Sequence, residues 1–326
     1  MLRLILNIRS NPKFWFLLLV SMAVVATMLF IGFSYSQPQD TIQVSLDRKT
    51  ALPPVQEIAG DAYSGPSSNS LRVAIAGVLS PSESLETYQE LLGYMGKNLG
   101  KQVTLILKPT YAEINDLIRG QRVDLAFVCS LSYVIGHNEF GMELLVAPQI
   151  RGETVYYSYL IVPKESNATS LSDLRGGTFA FTDPISNSGY LAPTYQLSLL
   201  GESPVSFFSR YIFTYSHDNS IIAIADKLVD GATVDSLVYD RMVVNDPELA
   251  SETKIIARWG PYGIPPVVID PMLDPELKQQ LLDFFLRIHT LDEGRMILDD
   301  LGIDKFVVVS DDIYDSVREM QTKLGW

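Results

Sequence analysis

The chain has 326 residues, 47% of them hydrophobic, enough for about two globular units that bury real cores. Against 38 Asp and Glu stand 25 Lys and Arg, a formal net charge of -13, so a nucleic-acid partner recognised through basic excess is excluded. One cysteine, Cys129, rules out an intrachain disulfide or CxxC motif, and the scattered His137, His217 and His289 give no metal-ligand spacing, so neither metal nor cofactor is expected.

Residues 14–33 carry no charge and are long enough as a helix to cross the hydrocarbon core of a bilayer. Arg3, Arg9 and Lys13 precede them, so residues 1–13 should stay cytoplasmic and the remainder should lie on the extracytoplasmic face. The run exceeds a cleavable signal's usual apolar core, which favours a retained transmembrane signal anchor, or uncleaved signal, as the contact with the membrane. Residues 34–70, rich in Gln, Pro, Ser and Asp, read as a solvated tether.

Beyond residue 70, β-branched runs alternate with amphipathic stretches, the pattern of an α/β fold with largely parallel strands. Leu71 to Ala76 is a first strand, and Ser80-Pro81-Ser82-Glu83 a capping box opening a helix to about Leu99. A strand over 103–107 leads to a second capping box, Thr110-Tyr111-Ala112-Glu113, whose helix stops near Gly120. Val123 to Val128 is a third strand. Strands follow at 158–162, 178–181, 210–215 and 232–234, with helices over 189–200 and 219–228 among them. The tail reads as helices over 275–290 and 291–301, a strand at 306–309 and a last helix from Asp311.

Ser186-Asn187-Ser188 follows a strand and opens a helix, which sets hydroxyls, an amide and free backbone N–H groups at a positive helix end, a site for an oxyanion. Ordinary capping accounts for the same residues equally well. His217, between a strand and a helix, is placed to donate to an anion or simply to pack. The phenols of Tyr111 and Tyr156 have the same two readings. Asp235 ends a strand where open α/β sheets bind ligands, and capping is its plainer role. Cys129 reads as a buried, inert thiol, since no histidine adjoins it. No GxSxG, Walker A or GxGxxG pattern points to hydrolysis or nucleotide binding.

Taken together, Tyr111-Ala112-Glu113-Ile114 through Gly120-Gln121-Arg122-Val123-Asp124-Leu125-Ala126, Leu160-Ile161-Val162-Pro163 through Ser186-Asn187-Ser188-Gly189-Tyr190, and Ser216-His217-Asp218 through Val234-Asp235-Ser236 form an ordered set. It resembles the phosphate/phosphite/phosphonate-binding, PhnD-like family of ABC-transporter substrate-binding proteins. The resemblance implies a type 2 periplasmic-binding-protein fold of two α/β lobes around a ligand cleft, with lobe one at 71–157 plus 261–326 and lobe two at 158–260. It implies a non-enzymatic receptor that hands a small phosphorus oxyanion to an ABC transporter permease, with Tyr111, Tyr156, Ser186, Asn187, Ser188 and His217 on the ligand. Two departures accompany it. Asn187 stands where the family typically has a second hydroxyl residue, and Leu237 and Gly263-Ile264-Pro265-Pro266 lack the acids with which aminophosphonate binders meet an amine. Phosphite, methylphosphonate or phosphate is therefore expected over 2-aminoethylphosphonate. A membrane-tethered sensor, or an enzyme on the same fold, is the alternative.

Overall fold

Strand formation follows the β-branched runs closely. In the computed structural model, which describes residues 42–45 and 70–326, twelve strands among the described residues form two sheets. The first joins β1 (Ile42–Ser45), β2 (Ser70–Ile75), β3 (Gln102–Leu107), β4 (Leu125–Phe127), β5 (Glu143–Gln149), β11 (Val267–Ile269) and β12 (Lys305–Val307) in the order β1-β3-β2-β4-β11-β5-β12. The second joins β6 (Val155–Pro163), β7 (Thr178–Phe181), β8 (Arg210–Phe213), β9 (Gly231–Asp235) and β10 (Thr253–Gly263) in the order β10-β6-β9-β7-β8. Two α/β lobes result, one on each sheet. The segment 14–33 and most of the tether lie outside the described residues, but Ile42–Ser45, read from sequence as part of the solvated tether, is a strand paired antiparallel with β3; among the described residues no helix is long and apolar enough to cross a membrane.

The central strands of both sheets are packed on both faces. Along β2, Leu71, Val73 and Ile75 enter one core with Leu91, Met95 and Phe285, while Ala74 faces another that holds Tyr111, Tyr156 and Tyr314, the two-residue alternation of a pleated strand. The second sheet is sandwiched likewise between a cluster around Ile161, Ile221 and Val234 and one around Leu160, Phe179, Phe181 and Phe207.

The sheets are mixed rather than largely parallel. β2 is parallel to β3 and β4, and β7 to β8 and β9, but β11 and β12 run antiparallel to their neighbours, as do β6 and β10. β6 and β10 pair over most of their length, with two register shifts along β10. Their sequences leave the first sheet and return to it, so this antiparallel pair joins the lobes.

Helix α1 (Pro81–Leu99) starts where expected, but its capping box does not form: the Ser80 side chain caps nothing, and its backbone N–H donates instead to Asp218 Oδ1 at 2.9 Å. The box at α2 (Tyr111–Arg119) forms in full. Helix α3 (Ser130–Phe140) was not visible as an amphipathic stripe, because Ser130 to Val134 and Gly136 are all buried.

Candidate functional site

Because β3 and β4 run parallel to β2, and β8 and β9 parallel to β7, their carboxyl ends gather on one edge of each sheet. Each then opens a helix. Thr110 caps α2, so Tyr111 begins it; Cys129 is the N-cap of α3; Ser186 caps the π-helical turn Asn187–Leu191, which leads into α4 (Ala192–Leu199). Ser216 caps α5 (His217–Ala225), and Asp235 caps α6 (Ser236–Asn245). Partly positive helix starts from both lobes thereby meet at the sheet edges, where open α/β folds place ligands.

All seven residues singled out from sequence are buried: Tyr111, Ser186 and Asn187 are 0% exposed, Tyr156, Ser188 and His217 1%, and Asp235 3%. Asn187 Nδ2 donates to the Tyr156 hydroxyl at 2.9 Å. His217 Nδ1 accepts from the Asp235 backbone N–H at 3.0 Å and lies 3.1 Å from Thr182 Oγ1. A ring nitrogen that accepts from an amide carries no proton, so the His217 proton sits on Nε2. Burial pushes the ring down to about 3, which keeps it neutral.

Ser186 fills the capping role, its Oγ accepting from Gly189 N at 3.1 Å, and its own hydroxyl proton stays available. The Ser188 carbonyl is taken by Ser158 Oγ at 2.6 Å and the Gly189 carbonyl by Thr233 Oγ1 at 3.3 Å, which fixes the turn from behind. Of five buried side-chain polar atoms without a partner among the described residues, three belong to this cluster: Tyr111 Oη, Ser188 Oγ and Asn187 Oδ1. Leaving each without a partner costs about 1–3 kcal/mol. Exchanging the two ends of the Asn187 amide would let Oδ1 accept from Tyr156 and turn Nδ2 toward an incoming anion.

Burial also governs the acids. Asp235 is pushed up to about 7 by desolvation, only partly offset by the backbone N–H of Leu237, which reaches its Oδ1 at 2.7 Å. Burial holds the Tyr111 and Tyr156 phenols well above their usual range, with Cys129 and Asp235 adding to the shift in both. Asp235 therefore lies within electrostatic reach of both phenols. The Cys129 thiol is buried as expected, is raised to about 11 by that burial, and accepts from Asn187 N at 3.3 Å. Among the described residues, no lysine or arginine hydrogen-bonds any of the seven, and no group of acids, cysteine and histidine is arranged to hold a metal.

Sequence reading missed the groups that join the lobes over this cluster. Asp183 Oδ2 accepts from Tyr111 N at 3.1 Å and its Oδ1 from Ile185 N at 2.9 Å, so one buried carboxylate ties the turn of the second lobe to the α2 start of the first. His217 N donates to Val78 O at 3.0 Å and Ser80 N to Asp218 Oδ1. The Asp-Pro pair before the turn was the one local signal for Asp183. Asp218 and Val78 offered none, since their partners are more than 130 residues away.

Residues 73–314 match the family described as "ABC transporter, phosphonate, periplasmic substrate-binding protein". The chain belongs to that family. Its members are substrate-binding proteins of ABC importers rather than enzymes, and they act outside the cytoplasm. The "Phosphonates-binding periplasmic protein" of Escherichia coli is 29% identical over 269 residues, covering 80% of this chain and 79% of that one. The "Phosphate-import protein PhnD" of Mycolicibacterium smegmatis is 30% identical over 178 residues, 52% of this chain and 56% of that one. A binding-protein component of an ABC phosphonate transporter from Pseudomonas aeruginosa superposes with a TM-score of 0.74 at 29% identity, covering 77% of this chain and 85% of the other. PhnD1 of Prochlorococcus marinus, solved with methylphosphonate, shares the fold at a TM-score of 0.71 and 20% identity, over 79% of this chain and 98% of that one.

Proposed function

We propose that this chain captures a phosphorus oxyanion, a phosphonate, phosphite or phosphate, between its lobes and presents it to an ABC permease. Tyr111, Tyr156, Ser186, Asn187, Ser188 and His217 are its donors, and Asp235 reads the ligand's proton. The observation that carries this reading is the set of partnerless buried polar atoms on Tyr111, Asn187 and Ser188, beside a neutral His217 whose Nε2 holds the proton. A tetrahedral oxyanion supplies the acceptors that the Tyr111 and Ser188 hydroxyls lack, and that Asn187 Nδ2 needs once the amide ends are exchanged, and helix starts with preorganised O–H and N–H donors hold it without a formal cation.

Asp235 sharpens the choice. A charged carboxylate among anion-binding groups would repel a dianion, whereas one shared proton, on the acid or as P–OH, turns repulsion into a hydrogen bond. Sulfate, which brings no proton at neutral pH, can be met only by the protonated acid and should bind more weakly. On this reading the lobes comprise 71–157 plus 261–326 and 158–260, hinged on β6 and β10, and residues 14–33 anchor the receptor to the membrane.

Calorimetric titration of the full-length protein, refolded to strip carried ligand, tests the site with phosphite, methylphosphonate, phosphate, 2-aminoethylphosphonate and sulfate. Binding of phosphorus oxyanions, with sulfate markedly weaker, is the expected result. Silence towards all of them, or sulfate binding equally well, would sink the assignment.

A further inference from the structure

The last helix, α7 (Asp315–Leu324), lies beyond the residues that match the family and follows the first lobe in the chain, yet it reaches the second. Its apolar stripe, Val317, Met320 and Leu324 at i, i+3 and i+7, packs into the core that holds Tyr111 of the first lobe with Leu191 and Ala192 of the second. Its start is pinned to the first lobe. The Tyr133 hydroxyl donates to Asp311 Oδ1 at 2.7 Å, and Arg318 reaches the same oxygen at 2.7 Å. Tyr314, whose ring lies 4.8 Å from that of Tyr133, donates to Ile264 O at 2.9 Å.

Its far end is fastened to the second lobe. Lys323 Nζ donates to the Tyr195 hydroxyl at 3.3 Å and stands 5.4 Å from the centre of that ring. Gly325, at φ 73°, ends the helix in the left-handed conformation. The backbone N–H groups of Gly325 and Trp326 donate back to Thr322 O and Gln321 O at 3.2 and 3.0 Å, which folds Trp326 over onto Tyr190. The two rings stack at 5.3 Å and 28°.

Tyr190 belongs to the turn Asn187–Leu191, two residues after Ser188. Phe181 and Phe213 of the second lobe hold its ring edge-on at 5.0 and 5.2 Å, whereas Trp326 arrives from outside that lobe. Asn187 and Ser188 are buried while the indole is 49% exposed, so the stack braces the turn from its solvent side. If the lobes part about β6 and β10, α7 can follow only one of them. The contacts of Tyr133 and Tyr314 are buried and hydrogen-bonded, but those at the far end are a half-exposed stack and an exposed lysine, so the far end is the one to yield.

We propose that α7 straps the lobes together and that Trp326 is a positioning residue for the oxyanion turn, bracing Tyr190, and with it Asn187 and Ser188, only while the lobes are closed. This role rests on the oxyanion reading above.

Titration of the stripped full-length wild type, Trp326→Ala and Trp326→Phe with methylphosphonate tests it, together with tryptophan emission from Trp259→Phe and from the double variant Trp259→Phe/Trp326→Phe. Trp326→Ala should weaken binding about three- to tenfold, the worth of one aromatic pair, and Trp326→Phe should restore most of it. Methylphosphonate should shift the emission of Trp259→Phe, in which Trp326 still reports, and the shift should vanish in the double variant. A purely structural indole would lower the denaturation midpoint of Trp326→Ala and leave its affinity unchanged, which would overturn the positioning role. Emission that ignores bound methylphosphonate would overturn the coupling to closure. Silence of the wild type towards methylphosphonate, phosphite and phosphate would remove the oxyanion reading and the strap's role with it, whereas binding by the wild type with equal affinity in Trp326→Ala removes that role alone. If Trp326→Ala fails to fold, the emission comparison still decides.

Discussion

Tyr111 Oη and Ser188 Oγ are buried without partners, so the ligand-free protein has little to lose from their removal. Tyr111→Phe and Ser188→Ala should each leave chemical denaturation midpoints unchanged or slightly raised. Each should weaken oxyanion binding by roughly 10- to 150-fold, the worth of one charge-assisted hydrogen bond. A parallel loss of stability and affinity would instead mark the pair as structural. Asp235 makes a second prediction through pH. Its native pKa, about 7, lies above an unfolded value near 4, so its contribution to stability is greatest below about pH 4 and declines as pH rises to about 7. Asp235→Asn keeps the helix cap and removes the charge. Relative to wild type, its melting temperature should rise progressively from pH 4 to 7 and level off above. His217, pulled down to about 3, has the opposite slope, stabilising fully above about pH 6.5 and losing that contribution as pH falls. In binding, one proton must be shared, so wild-type affinity should fall as pH rises through about 7, and Asp235→Asn should flatten that profile.

The turn from Ser186 to Leu191 is the element on which the site depends most, and it tolerates little. Gly189 packs so closely on Thr182 and Ser186 that a methyl group there would press into the Thr182 side chain. Gly189→Ala should therefore destabilise the protein by about 1–3 kcal/mol, read from denaturant midpoints, and reduce oxyanion affinity by displacing Ser188. Unchanged affinity would show that the turn is not part of the site. Elements whose signals were local were legible: the Thr110 box formed in full. The Ser80 box failed because a carboxylate from the other lobe took its N–H, a competition no local motif reveals. Strand β10 was missed since Gly260-Pro261 breaks its pattern, and helix α6 because Asp235, read as a strand end, is also its cap.

Closure of the whole molecule depends on a few hydrogen bonds between distant segments, and Asp218 gives the cleanest handle because it lies outside the donor cluster. Asp218→Ala leaves Ser80 N–H without its partner across the cleft, which should shift the ligand-free population toward open forms. Small-angle scattering should report a larger radius of gyration that oxyanion restores, with affinity about tenfold weaker. An unchanged radius and affinity would show that this contact does not govern closure. By itself the sequence determined the alternation of strands and helices, the family, and the residue types at each helix start, because these follow from periodicity, capping chemistry and motif order within a few tens of residues. Only the tertiary structure decided which of the seven polar groups remain without partners, that His217 carries its proton on Nε2, and that burial raises Asp235 to about 7. Those properties arise from burial and from contacts between lobes, where groups that meet, such as Ser80 and Asp218, are 138 residues apart in the chain and no local pattern encodes their approach.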